Sequence, residues 1–133
     1  MNSTTTKEVP VLNLNYAYEL SQACWQGRPI VLFQISYESP ALFVIFQMFF
    51  GSFKPLKDIN EKIKKENNTI TDDDIKAFLN YAAQCLSNAG NYVSFGHKKF
   101  IPLLAQEKFE QIVKTSKSYG EFEAIWNSVI QLT

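Results

Sequence analysis

The sequence predicts an all-α fold, a compact bundle of about seven short helices with no sheet. Three observations carry that prediction. Apolar residues recur at i, i+3, i+4 spacing in segment after segment, helix start and stop residues separate those segments, and no run alternates with period two or repeats at a fixed interval.

The polar, threonine-rich residues 1–12 read as an extended or disordered tail, and 13–133 as a single helical domain. Asn13 can cap a first helix on which Ala17, Leu20, Cys24 and Trp25 share helical spacing, with Gly27 as its stop. Pro29 suits the first turn of a short second helix, Ile30 to Tyr37, which is apolar nearly all round and therefore expected to be buried. Ser39-Pro40 repeats the cap-then-proline signal. Leu42, Ile45, Phe46, Phe49 and Phe50 follow it at core-facing spacing until Gly51, which places the centre of the core there.

After Pro55, Leu56, Ile59 and Ile63 make a narrow stripe on a charged surface helix that Asn67-Asn68 interrupts. Thr71 with Asp74 three residues on has the form of a capping box with a shortened acid. Ile75, Phe78, Leu79, Ala82, Ala83 and Leu86 then mark a clear helical face. Beyond the irregular stretch Asn88 to Pro102, one helix carries Ala105, Phe109, Ile112 and Val113. A last helix, from near Ser118, carries Phe122, Ile125, Trp126, Val129 and Ile130. It reaches Thr133 without a stop residue, as a helix cut from a larger chain or a frayed end would, and its apolar face is expected to lack part of its cover.

Composition narrows the function. With 13 basic and 13 acidic residues the formal net charge is +0, so no global field concentrates nucleic acid or anionic lipid. Arg28 stands alone among lysines, which removes most of the planar forks that phosphate and base edges favour. No apolar stretch is long enough to span a bilayer, and no signal-peptide pattern opens the chain. A cytoplasmic location is expected. Cys24 and Cys85 lie on apolar helical faces and read as small buried hydrophobes.

Candidate chemistry is sparse. Asp72, Asp73 and Asp74 after Asn67-Asn68 suggest calcium, but the alternating ligands, central glycine and closing glutamate of an EF-hand loop are missing. Acids in a first helical turn are explained by the helix dipole. His97 is the sole histidine, so no zinc site of the usual protease spacing can form within the chain. Ser94 lies three residues from His97 in the same loop and outside any nucleophile-elbow pattern. No catalytic residue and no metal ligand is therefore assigned. What stands out is the loop itself. Asn88, Gly90 and Asn91 can adopt left-handed backbone and turn the chain sharply, which would project Tyr92 and Phe95 either into the core or toward a groove.

The stretch "FLNYAAQCLSNAGNYVSFGHKKFIP", Phe78 to Pro102, resembles the N-terminal part of the dipeptidyl-peptidase III family of zinc aminopeptidases, through Tyr-Ala-Ala, Ser-Asn-x-Gly-Asn-Tyr, Ser-Phe-Gly and Lys-Phe-x-Pro. "YAYELSQACWQGRPIVLFQISYESPALFVIFQMFF" upstream and "QEKFEQIV" downstream extend the likeness over most of the chain. The resemblance implies the first helical region of a two-lobed cytosolic exopeptidase that releases N-terminal dipeptides from short peptides. It also implies that Ser94, Phe95 and Gly96 face the peptide cleft and that Asn88, Gly90, Asn91 and Tyr92 brace them. The family's zinc, held by a His-Glu-x-x-Gly-His helix and a later glutamate, would belong to the remainder of that longer chain, whose residues are absent here. The alternative is a freestanding helical module that holds a partner peptide with the same loop and has no enzymatic activity.

Overall fold

The computed structural model describes residues 11–93 and 97–130. Six α-helices occupy them: α1 (Val11–Ile35), α2 (Ser39–Gly51), α3 (Ile59–Glu66), α4 (Asp72–Ser87), α5 (Gln106–Lys114) and α6 (Tyr119–Ile130), with a single 3-10 turn at Leu56–Asp58 before α3. Among the described residues there is no strand, only one isolated bridge between Tyr92 and Lys99.

The count falls one short of seven because the two helices expected before residue 38 are one. α1 runs unbroken through Gly27 and Pro29, and it starts at Val11 rather than after Asn13. Pro29 removes one backbone donor and costs a helix interior about 3 kcal/mol. Ending the helix there would leave several carbonyls to be satisfied, and no Ser, Thr, Asn or Asp lies between Trp25 and Ile35 to offer an alternative. The Arg28 guanidinium closes over the Trp25 ring at 3.0 Å, with the Phe43 ring at 4.9 Å, and ties this turn to α2.

The burial expected for Ile30 to Tyr37 is found only at Leu32. Phe33 is 77% exposed and Tyr37 92% exposed. Cys24 is exposed as well, while Cys85 is buried as expected. No helix among the described residues is long and apolar enough to cross a membrane.

α2 forms the centre. Its residues Leu42, Ile45, Phe46 and Phe49 are buried, and the helix packs on α1, α4 and α6. Phe78 of α4, wholly buried, meets Phe46, Phe49 and Phe109 edge to face at 6.0, 5.1 and 5.0 Å. Trp126 of α6 stacks flat on Phe109 with centroids 5.4 Å apart. The apolar face of α6 is therefore covered within the chain, against expectation: Phe122, Trp126 and Val129 are buried, and Ile125 and Ile130 are partly so. α2 supplies that cover, which sequence spacing could not reveal.

Local chemistry sets the ends. The capping box forms: the Asp74 N–H donates to Thr71 Oγ1 at 3.2 Å and the Thr71 N–H donates to Asp74 Oδ2 at 2.9 Å. Lys108 of α5 donates to the same Oδ2 at 2.6 Å and joins α5 to α4. Leu56 lies outside the buried stripe of Ile59 and Ile63 at 58% exposure.

Candidate functional site

The candidate site grows from the end of α4. The Gly90 N–H donates to the Cys85 carbonyl at 3.0 Å, closing a Schellman-type turn in which Ala89 takes the left-handed conformation with φ of 52°. Asn88, expected to share that role, keeps φ of −92° and uses its Nδ2 to donate to the Gln84 carbonyl at 2.9 Å. A left-handed alanine costs about 1–2 kcal/mol, so the position of Gly90 has its own reason. A Cβ there would come within 2.7 Å of Ser39 Oγ and 2.9 Å of Ile35 Cγ2. The glycine lets the loop lie directly on the α1–α2 junction.

Asn91 is next and is 1% exposed. Its Oδ1 lies 2.7 Å from Ser36 Oγ and 3.0 Å from Ser39 Oγ, which are themselves 2.8 Å apart. Two hydroxyl protons serve these three oxygen–oxygen edges, so at any instant one edge carries no proton. Asn91 Nδ2 donates to Glu38 Oε2 at 2.7 Å, and the Asn91 N–H donates to Ser39 Oγ at 3.3 Å. Lys99 Nζ reaches Glu38 Oε1 at 3.0 Å. Burial pushes the Glu38 carboxyl up, but the hydrogen bonds from Asn91 and Lys99 and the Lys99 charge outweigh it and leave the group below its ordinary value.

This knot explains a departure at α2. Ser39 was expected to cap the helix, yet Glu38 occupies the cap position without a side-chain cap bond and Ser39 is the first helical residue. Its hydroxyl is committed to Asn91 instead.

Beyond the knot, the segment Lys99–Pro102 forms a shared wall between two hollows. One, of about 400 Å³, lies against Leu42, Phe109, Trp126 and Val129 with Glu38 and Asn91 at its polar edge. The other, of about 490 Å³, lies against Ala77, Asn80 and Gln84 of α4. Ile101 on the wall is 76% exposed, and Leu103 just after it, bordering the second hollow, is 91% exposed. Tyr81 borders both hollows. Burial, with smaller contributions from Cys85 and Glu38, raises its phenol far above the ordinary value, so it stays neutral. Burial also raises the Cys85 thiol, to about 11, and leaves it a poor nucleophile. These groups can shape and hold; they are not set up to attack or to move a proton at neutral pH.

Of the residues singled out from sequence, Asn91 and Gly90 sit buried in the knot, Asn88 caps α4, and Tyr92 is half-buried opposite Lys99. Ser94, Phe95 and Gly96 lie outside the described residues. His97 is exposed, and no group of three or more metal-ligating side chains occurs among the described residues, so the donor set does not fit a zinc site. Sequence reasoning missed Ser36, Glu38, Ser39 and Lys99. The one available signal was the polar cluster Ser36-Tyr37-Glu38-Ser39 between two apolar segments, which reads as a helix break rather than as a binding partner for a loop about fifty residues away.

Among the described residues, a helical body holds the two limbs of an irregular loop by a buried polar knot, with a hollow on either side of the Lys99–Pro102 segment. Sequence comparison shows the family. The chain is 42% identical over 105 residues to Dipeptidyl peptidase 3 of Nematostella vectensis, covering 79% of this chain and 14% of that protein. It is 34% identical over 126 residues to Dipeptidyl peptidase 3 of Dictyostelium discoideum, covering 84% of this chain and 17% of that protein. To Dipeptidyl peptidase 3 of Homo sapiens it is 39% identical over 121 residues, 88% of this chain and 16% of that one. The chain belongs to the dipeptidyl peptidase 3 family and spans about one-sixth of the length of these curated relatives. No protein-family profile matches it. No solved structure matches either.

Proposed function

We propose that this chain is the N-terminal helical region of a dipeptidyl-peptidase III type zinc exopeptidase, which releases N-terminal dipeptides from oligopeptides in the cytoplasm. Its own part is scaffold and one wall of the substrate cleft, with catalysis and zinc supplied by the remainder of the peptidase chain. The observation that carries this reading is the 39% identity to a human dipeptidyl peptidase over 88% of the chain, at a length of only 16% of that protein.

The partners follow from the same reading. A short peptide would run past Ser94, Phe95 and Gly96, and the remaining polypeptide would cover the apolar residues that α1 leaves exposed. A freestanding peptide-binding module is the second reading, favoured by the closure of the core around Phe78 and Trp126 without further chain.

Phe95→Ala in the complete peptidase tests the cleft wall. Loss of uniform binding predicts a higher KM with kcat little changed, and a stability loss well below the roughly 3 to 5 kcal/mol of a buried Phe→Ala. Severe destabilisation with unaltered KM would return Phe95 to the core. The 133-residue chain by itself is expected to retain no stoichiometric zinc after dialysis and to release no dipeptide from an arylamide substrate. Intact mass of the natural product separates the two readings. A protein much larger than 15.2 kDa that contains a His-Glu-x-x-Gly-His sequence is the enzyme, and one of about this mass is the module.

A further inference from the structure

Glu38 holds both feet of the loop with one carboxylate. The limbs of the loop meet through two backbone hydrogen bonds, the Val93 N–H to the Lys98 carbonyl at 2.9 Å and the Phe100 N–H to the Asn91 carbonyl at 2.8 Å, which together make the antiparallel bridge of Tyr92 with Lys99. Below them, Glu38 Oε2 accepts from the Asn91 foot at 2.7 Å and Oε1 from the Lys99 foot at 3.0 Å.

The two feet are not held equally. Asn91 is buried, touches both Ser36 and Ser39 hydroxyls, and follows a glycine pressed against Ser39 and Ile35. Lys99 is 35% exposed in its side chain, and the ammonium group has Glu38 as its ion-pair partner. A lysine on a flexible stem takes its position from whatever it pairs with. The first foot would therefore stay seated without Glu38, whereas the second would keep its two backbone bonds to the first and the packing of Phe100 but lose the carboxylate that holds Lys99.

We propose that Glu38 is a positioning residue for the loop, setting the Lys99 limb against the Asn91 limb. The consequence for substrate rests on the cleft-wall reading above. A loop wall held by one limb only would contact a bound peptide less often, which weakens binding without touching the chemical step.

Hydrogen exchange on this chain, read amide by amide, tests the clamp. In Glu38→Ala the Val93 and Phe100 amides should exchange on the order of ten- to a hundredfold faster, the factor carried by loss of a hydrogen bond to a charged group. The Gly90 amide, bonded to the Cys85 carbonyl within the seated foot, should keep its protection. Glu38→Gln, which keeps an acceptor for Asn91, should lie between wild type and alanine. Lys99→Met leaves the Asn91 contacts intact and provides a variant that folds even where Glu38→Ala does not; it should release the same two amides. Unchanged exchange at Val93 and Phe100 overturns the proposal, as does equal acceleration at Gly90, which would make Glu38 a general support of the fold. In the complete peptidase the same variants should raise KM for a short peptide severalfold at nearly constant kcat. Faster exchange with unchanged KM leaves the clamp standing and sinks the cleft-wall reading instead.

Discussion

Helices α1 and α2 follow one another, and both are rich in apolar residues, yet one lies largely in the open and the other forms the core. On α2, Leu42, Ile45, Phe46 and Phe49 fall within a single stripe about 100° wide, and three neighbouring helices close on it. On α1 the apolar residues go round the helix. At 100° per residue, Leu14, Tyr18 and Trp25 share one side, Tyr16 and Ile30 the opposite one, and Leu20 with Val31 a third, all of them exposed. Hydrophobic content does not decide which helix is buried here. Its angular distribution does, because a stripe can be covered by this chain alone and a full circumference needs polypeptide on every side.

The contrast can be broken most directly at single aromatics. Phe46→Ala should lower the stability of the chain by about 3 to 5 kcal/mol, whereas Phe33→Ala, in an exposed position, should stay within about 0.5 kcal/mol of wild type. Urea titration of both variants checks the pair, and comparable losses would mean that α1 is packed after all.

Next in size is self-association. Each large apolar side chain covered by a second copy contributes about 1.5 to 3 kcal/mol, so the isolated chain should associate through α1 at modest concentration. Leu20→Glu combined with Phe33→Glu should yield monomers in sedimentation, while Ser128→Glu on the exposed side of α6 should not. A strict monomer at high concentration for the unmodified chain would remove α1 as an adhesive surface.

A smaller effect sharpens the comparison from the packed side. Thr71→Ala removes the cap of α4 and should cost about 1 kcal/mol, measured as a shift in the denaturation midpoint. The smallest effect lies in the acid limb. The Lys108 hydrogen bond, with those from the Thr71 N–H and hydroxyl, lowers the Asp74 carboxyl from 3.8 to about 2. A carboxylate depressed in the folded state stabilises it above the unfolded value and loses that contribution as pH falls through the folded one. Thermal stability should thus decline from near pH 3.8 toward about 2, and Asp74→Asn should flatten that decline.

Much of the architecture was legible because it is written in local spacing. The core face of α2, the capping box at Thr71 and Asp74, and the buried residues of α5 all follow from side chains a turn apart competing for the same environment. The irregularity that follows Asn88 and the family likeness of the stretch were legible too, since Asn and Gly together commonly end a helix, although the left-handed position fell to Ala89. The errors arose where distant residues intervened. Gly27 and Pro29 looked like a boundary, but with no competing side chain nearby the helix simply continued. Ser39 looked like a cap and became a partner of Asn91, fifty-two residues away. The face around Trp126 looked uncovered because nothing in its own segment announces that α2 will lie on it. Sequence periodicity determined which residues could form helices and which stripe each would bury. Only the tertiary structure decided which stripes met, where Glu38 would place its two oxygens, and that α1 would be covered by α2 on one side alone, because those outcomes depend on contacts between segments that no local pattern encodes.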